Sequence, residues 1–261
     1  MSELAVLPLF AGGLWPADLA ASTYLGMGLM VLAGACLQGI GGLGFAMFSA
    51  PLAALFFPTL VPGPLLLLGC PLALLTLLRE WQAVDLPAAG AALVGRLGGT
   101  ALAAGALALL PATVLTPLFA LLILLGVALS LGGWRMVASP CRTALAGVAS
   151  GLMGTITSAG APPFAIALQN LPAATLRATL GCVFFVGAAI SLAALGLIGR
   201  LDGHHLLLGL LLLPWMGAGF ALSGPLARRL PPRSLRPLLL GLAALGALTL
   251  LVQSGWQASS A

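Results

Sequence analysis

Gln38-Gly39-Ile40-Gly41-Gly42-Leu43-Gly44 interrupts one apolar stretch of the chain, and Thr155-Ile156-Thr157-Ser158-Ala159-Gly160-Ala161-Pro162-Pro163 interrupts another in the second half. Each follows a short apolar segment and precedes a second, so the pattern predicts a backbone break at or near membrane depth. The N–H and C=O groups freed by such a break are too costly in hydrocarbon unless protein or a watery cavity receives them. Paired interruptions at corresponding places in two halves point to the substrate site of a transporter.

The composition around these breaks agrees. The 261 residues are 61% hydrophobic and 6% charged, with a mean hydropathy of +1.18. A soluble domain carries about 25% charged residues, so this chain could not cover its surface in water. It reads as an all-α polytopic membrane protein. Unbroken apolar runs such as Leu118–Leu125 and Leu206–Leu213 exclude the apolar–polar alternation of a β-barrel.

Run lengths and breakers divide the chain into ten apolar segments, at 21–38, 44–58, 62–78, 87–109, 112–133, 143–157, 160–171, 175–198, 204–223 and 235–253. A full crossing needs about 20 residues. Segments 44–58, 143–157 and 160–171 fall short, which predicts half-depth helices and hairpins at 21–58 and 143–172 dipping toward the midplane. Shifting the sequence by 112 positions pairs Gly39 with Gly151, Gly42 with Gly154, Pro51 with Pro163, and Leu68-Gly69-Cys70 with Leu180-Gly181-Cys182. Five segments per half is an odd number, so the halves are expected to be inverted repeats. The resulting organisation is a tail at 1–20, a first repeat at 21–133, a linker at 134–142, a second repeat at 143–253 and a tail at 254–261.

All ten basic residues are Arg, against five acidic ones. Eight of them, Arg79, Arg135, Arg142, Arg177, Arg228, Arg229, Arg233 and Arg236, fall on one face of this topology. Only Arg200 falls on the other, and Arg96 lies within a span. The positive-inside rule makes the eight-arginine face cytoplasmic and puts both termini outside an inner membrane. Anionic lipid headgroups are the expected neighbours of the basic loops. The scattered arginines give no nucleic-acid surface. Met1-Ser2-Glu3-Leu4 lacks the basic start of a cleavable signal peptide, so the first span is expected to direct insertion.

The first stretch, Leu32-Ala33-Gly34-Ala35-Cys36-Leu37-Gln38-Gly39-Ile40-Gly41-Gly42-Leu43-Gly44-Phe45 with Pro51-Leu52, resembles the first signature of the TauE/SafE sulfite-exporter-like permeases. Gly147-Val148-Ala149-Ser150-Gly151-Leu152-Met153-Gly154 through Gly160-Ala161-Pro162-Pro163 is similar to the second, and Leu176-Arg177-Ala178-Thr179 also fits. The resemblance spans about residues 21 to 253. It implies a permease of small anions, typically sulfite, sulfonates or related sulfur and carboxylate compounds. The second tip departs from the family's Gly-rich pattern by carrying Thr155, Thr157, Ser158 and Ala159.

The breaks suggest how an anion would be held. A helix start has unpartnered N–H groups and a positive dipole end, so it binds anions without a charged side chain. On this reasoning the expected substrate-binding residues are Gln38, Gly41, Gly42, Gly44 and Ser49 around the first tip, and Thr155, Thr157, Ser158, Gly160 and Pro162 around the second. Gly41, Gly42 and Gly160 are expected to resist even alanine, because a methyl group would push the backbone from the ligand. Arg96 joins them, since a mid-span arginine is a functional candidate by default and guanidinium matches flat oxyanions. Its alternative role is to cap carbonyls of a broken helix, as Gln38's is to tie down the first tip, and the glycines could serve tight packing alone.

Cys36, Cys70, Cys141 and Cys182 form no metal motif, and no catalytic residue, cofactor or metal is expected. His204 and His205 flank a turn beside Asp202. No carboxylate lies in a span, so the usual intramembrane proton relay is absent. Coupling would come from the substrate's own protons, a carbonyl-bound cation or the membrane potential. The function expected is a secondary transporter or facilitator of small anions, possible as a homo-oligomer. An accessory or assembly membrane protein and an intramembrane enzyme are the alternatives.

Overall fold

The computed structural model describes residues 16, 19–42, 44–132, 139–227 and 232–259. Among these every regular element is a helix. Ten α-helices follow one another: α1 Ala21–Gly41, α2 Phe45–Phe56, α3 Gly63–Arg79, α4 Leu86–Leu109, α5 Ala112–Leu131, α6 Pro140–Thr157, α7 Pro162–Ala167, α8 Ala173–Leu197, α9 Gly203–Ala227 and α10 Pro232–Ser259. Five of them, α1, α4, α5, α8 and α9, are long and apolar enough to cross a membrane. The protein is thus an all-α, multi-pass inner-membrane protein. Glu3, Asp18, Leu43, Trp134, Arg135, Arg228 and Arg229 lie outside the described residues.

The expected segments and the helices coincide in order, and some of the expected bounds shift. The first segment forms a helix of 21 residues, about 31 Å at 1.5 Å per residue, so α1 is a full-length partner to a short α2 of 12 residues. The segment expected at 143–157 starts earlier, at Pro140, and has 18 residues. The Ser139 side chain caps it by accepting from the Arg142 N–H at 3.3 Å, and Pro140 occupies the first turn, where its missing N–H costs nothing. α2 and the six-residue α7 are the shortest of the ten, and α3, at 17 residues, falls just below α6. At the other end, α10 runs past 253 to Ser259.

Close backbone approach organises the packing. α4 crosses α6 where Gly95 and Gly99 meet Gly147 and Gly151. A methyl on any of the four would run into a backbone carbonyl opposite, of Ala144, Val148, Ala92 and Arg96 respectively. Membrane helices gain little from apolar sequestration and pack through such small-residue contacts. α1 crosses α9 in the same manner, with Gly219 against the Leu32 carbonyl and Gly39 against Ser223. α3 packs on α8 and α9, α4 on α8, α5 on α10 and α7, and α2 on α10.

Candidate functional site

The first break is built by its glycines and one glutamine. Gly42 takes the left-handed conformation, with φ 73°, and its N–H closes α1 by donating to the Gln38 carbonyl at 2.7 Å, an αL cap that glycine adopts without Cβ strain. The Gln38 side-chain oxygen then accepts from the Phe45 N–H at 3.2 Å, so one buried residue ends α1 and starts α2. Gln38 does tie down the tip. Its amide NH₂, set by that bond to face away from Phe45, remains a donor beside the cavity it lines.

The second break is built by hydroxyls. Thr157 donates to the Met153 carbonyl at 2.7 Å and accepts from the Ala159 N–H at 3.1 Å. Ser158 sits at φ 63°, a left-handed conformation uncommon for a residue with a Cβ. Its hydroxyl donates to the Pro62 carbonyl at 3.1 Å, just before α3. α7 follows with Pro162 and Pro163, neither of which has an N–H to offer. The Phe164 and Ala165 N–H groups both donate to the Ala161 carbonyl. The start of α7 is therefore not the anion-binding helix end that the sequence suggested.

Between the tips lies a cavity of about 60 Å³ lined by Gln38, Gly44, Phe45, Ala46 and Met47 on one side and by Ser158, Gly160 and Ala161 on the other. Arg96, Phe184 and the middle of α3 complete the wall. The tips reach it from opposite ends of α3, Ser158 holding Pro62 at one end, and Gly42 lying under Arg177, whose guanidinium is paired with Glu80 at the other. They flank the cavity rather than touching at one depth.

Arg96 is 3% exposed. One terminal nitrogen donates to the Ser150 hydroxyl at 2.9 Å, and the guanidinium carbon stands 5.4 Å from the Phe184 ring centroid. Its Nε has no partner among the described residues. Room for the guanidinium exists only because α8 has a glycine there, since a methyl on Gly187 would overlap Nε and come within 2.6 Å of Cζ. A methyl on Gly154 would come within 3.1 Å of a terminal nitrogen. No carbonyl accepts from Arg96 among the described residues, so the carbonyl-capping role finds no support.

Of the expected residues, Gln38, Gly44, Arg96, Ser158 and Gly160 line the cavity. The others lie elsewhere. Gly41 faces open space, with nothing within 4 Å of where an added methyl would sit, so alanine fits there. Gly42 supports Arg177, and Pro162 packs against Gly126. Ser49 is buried against Gly34 without a hydrogen bond. Thr155 joins a buried hydroxyl cluster, 3.3 Å from Thr100 and 2.8 Å from Ser191. Ser150, Phe184 and Gly187 were missed from sequence, although Ser150 stands inside the second signature.

Arg79 closes the other side of the fold. Its guanidinium carbon lies 3.8 Å from the Phe220 ring centroid on α9, and it reaches the Gly39 carbonyl at 3.4 Å. Among the described residues no group of three or more His, Cys, Asp or Glu is placed to hold a metal.

A family model described as "Sulfite exporter TauE/SafE" matches residues 26–250. The chain belongs to the TauE/SafE family. That match takes in both tips, Arg96 and every helix from α1 to most of α10. Neither curated proteins nor solved structures gave a match. As a TauE/SafE member it is a membrane transporter of small anions and not an enzyme.

Proposed function

We propose that the chain is a secondary transporter or facilitator of small oxyanions, of the sulfite, organosulfonate or short carboxylate kind. Its binding site is the cavity between the two tips, with Arg96 as the charge partner. Arg96 is buried and makes no ion pair with a carboxylate among the described residues, and this setting carries the reading. An uncompensated guanidinium inside protein costs several kcal/mol, and here one hydrogen bond to a neutral hydroxyl offsets it. An oxyanion in the adjoining cavity would neutralise the charge. The Gln38 amide and the first turn of α2 (Phe45, Ala46 and Met47), positive by its dipole, face the same space.

The architecture we propose is two inverted repeats, α1–α5 and α6–α10. Exchanging the halves leaves the main packing partners unchanged: α1 on α9 becomes α6 on α4, α3 on α9 becomes α8 on α4, and α2 on α10 becomes α7 on α5. Cavities between such repeats serve alternating access. The tip hydroxyls supply one element of that cycle. Ser158 gives its proton to Pro62, so it presents only lone pairs to the cavity, and an arriving anion recruits it as a donor only by breaking the tie to α3. Asp85, Glu80 and Asp202 all stand at helix ends, which favours movement driven by the anion gradient and the membrane potential. The eight-arginine face is proposed to be cytoplasmic.

Sulfite and methanesulfonate flux into proteoliposomes tests this. Arg96→Ala is expected to cut flux roughly tenfold to 150-fold at equal abundance, the loss of one charge-assisted bond of about 1.5–3 kcal/mol. Arg96→Lys restores part of it, since a point charge does not reproduce the planar fork. Normal flux in Arg96→Ala would make the arginine structural.

A further inference from the structure

A second cavity, of about 320 Å³, opens at the Arg200 end of the molecule and is not part of the site described above. We propose that it is a distinct anion-binding vestibule, selective for organic oxyanions that carry a short apolar body, and that it feeds the tip cavity. Passage from one cavity to the other rests on the transport reading; binding in the vestibule does not.

The wall chemistry defines the ligand. Leu115, Phe119, Ile156, Leu195 and Leu250 make most of the lining apolar. Arg200 is the one arginine among the lining residues. One of its terminal nitrogens donates to the Leu107 carbonyl at 2.8 Å, at the end of α4, which holds the guanidinium at the cavity. Arg200 makes no ion pair with a carboxylate among the described residues. The nearby Asp202 is committed to His205 instead, accepting its backbone N–H at 2.9 Å and standing 2.7 Å from its ring nitrogen. The remaining guanidinium donors are left for an oxyanion head, and an apolar body of a few carbons would leave water for the aliphatic and aromatic wall.

The two cavities approach each other at the end of α6. Ile156 faces the vestibule while Ser158, two residues on, faces the tip cavity. Pro62 lines the vestibule and accepts the Ser158 hydroxyl. The vestibule is about five times larger than the tip cavity by these volumes, 320 against 60 Å³. Organic anions with a bulky body would therefore bind at the vestibule and pass to the tip cavity only slowly.

Isothermal titration of the full chain in nanodiscs with methane-, propane- and hexanesulfonate separates the two sites. The expected result is a site whose affinity rises roughly threefold to fourfold per added methylene. Arg200→Ala removes that site, whereas Arg96→Ala leaves it. A sulfite site lost in Arg96→Ala but kept in Arg200→Ala would belong to the tip cavity, so failure of either reading is seen separately. Chain-length-independent affinity, or an alkanesulfonate site indifferent to Arg200→Ala in a variant that still unfolds cooperatively, would overturn the vestibule. Adding anionic phosphatidylglycerol to phosphatidylcholine nanodiscs should leave hexanesulfonate affinity unchanged. Competition by that lipid would mean that a headgroup, not a free organic anion, is the occupant.

Discussion

Two glycine-to-alanine changes on the helices that frame Arg96 should have opposite consequences. At Gly187 an added methyl meets the far end of a side chain, the Arg96 Nε and, at 2.6 Å, its Cζ. At Gly151 it meets the backbone of α4, 2.8 Å from the Thr100 nitrogen and against the Arg96 carbonyl. A guanidinium can move; a helix backbone in contact along a glycine seam cannot move alone. For Gly187→Ala, overpacking costs about 1–3 kcal/mol, and alanine returns about 1 kcal/mol of helix propensity. The net change in stability is then at most about 2 kcal/mol. The guanidinium, displaced from Ser150 and from the cavity, loses a charge-assisted contact of about 1.5–3 kcal/mol to a bound oxyanion, roughly a tenfold to 150-fold fall in affinity. Gly151→Ala instead separates α4 from α6 and should abolish stable expression. Sulfite flux into proteoliposomes, set beside thermal unfolding and membrane abundance, resolves the two. Wild-type flux in Gly187→Ala, or a loss of abundance as severe as that of Gly151→Ala, would refute the assignment of this pocket to a mobile, functional guanidinium.

Ser158→Gly and Ser158→Ala both remove the hydroxyl bond to Pro62, about 1 kcal/mol, but only glycine relieves the left-handed backbone, worth roughly 1–2 kcal/mol. Thermal unfolding should therefore rank Ser158→Gly at or near wild type and Ser158→Ala below it; the reverse order would contradict the strain at this tip. Gly41→Ala should be tolerated in both flux and abundance, in contrast to Gly160→Ala, whose methyl would come within 2.6 Å of the Ser150 carbonyl. Reporter fusions at residue 261 and within 228–236 should report outside and cytoplasm respectively, and a cytoplasmic C-terminus would reverse the proposed orientation.

Much of the architecture was legible because the decisive residues act locally. Gly42 and the Pro162-Pro163 pair announce breaks through backbone rules that need no partner. Arg96 stands out because a charge in an apolar span has few explanations. The start of α6 was less legible than its apolar run, because the Ser139 cap begins the helix at Pro140, ahead of that run. The roles of individual tip residues were less legible, since they depend on what faces them. Thr157 spends its hydroxyl on its own turn, Thr155 on Thr100 and Ser191, and Gly42 makes room for Arg177. Gly187 carries no sequence signal at all, because its importance arises from a guanidinium on a helix distant in sequence. The prolines that mark the second break also remove the N–H groups that would have made α7 an anion site.

The most direct test is to locate a bound anion. A structure of the protein with selenite in place of sulfite, read from the anomalous signal of selenium, places the ion without ambiguity. It should lie in the tip cavity within hydrogen-bonding distance of the Arg96 guanidinium, between Gln38 and Gly160. Selenium found more than one helical turn, about 5.4 Å, from that guanidinium, with the tip cavity empty, would contradict the account.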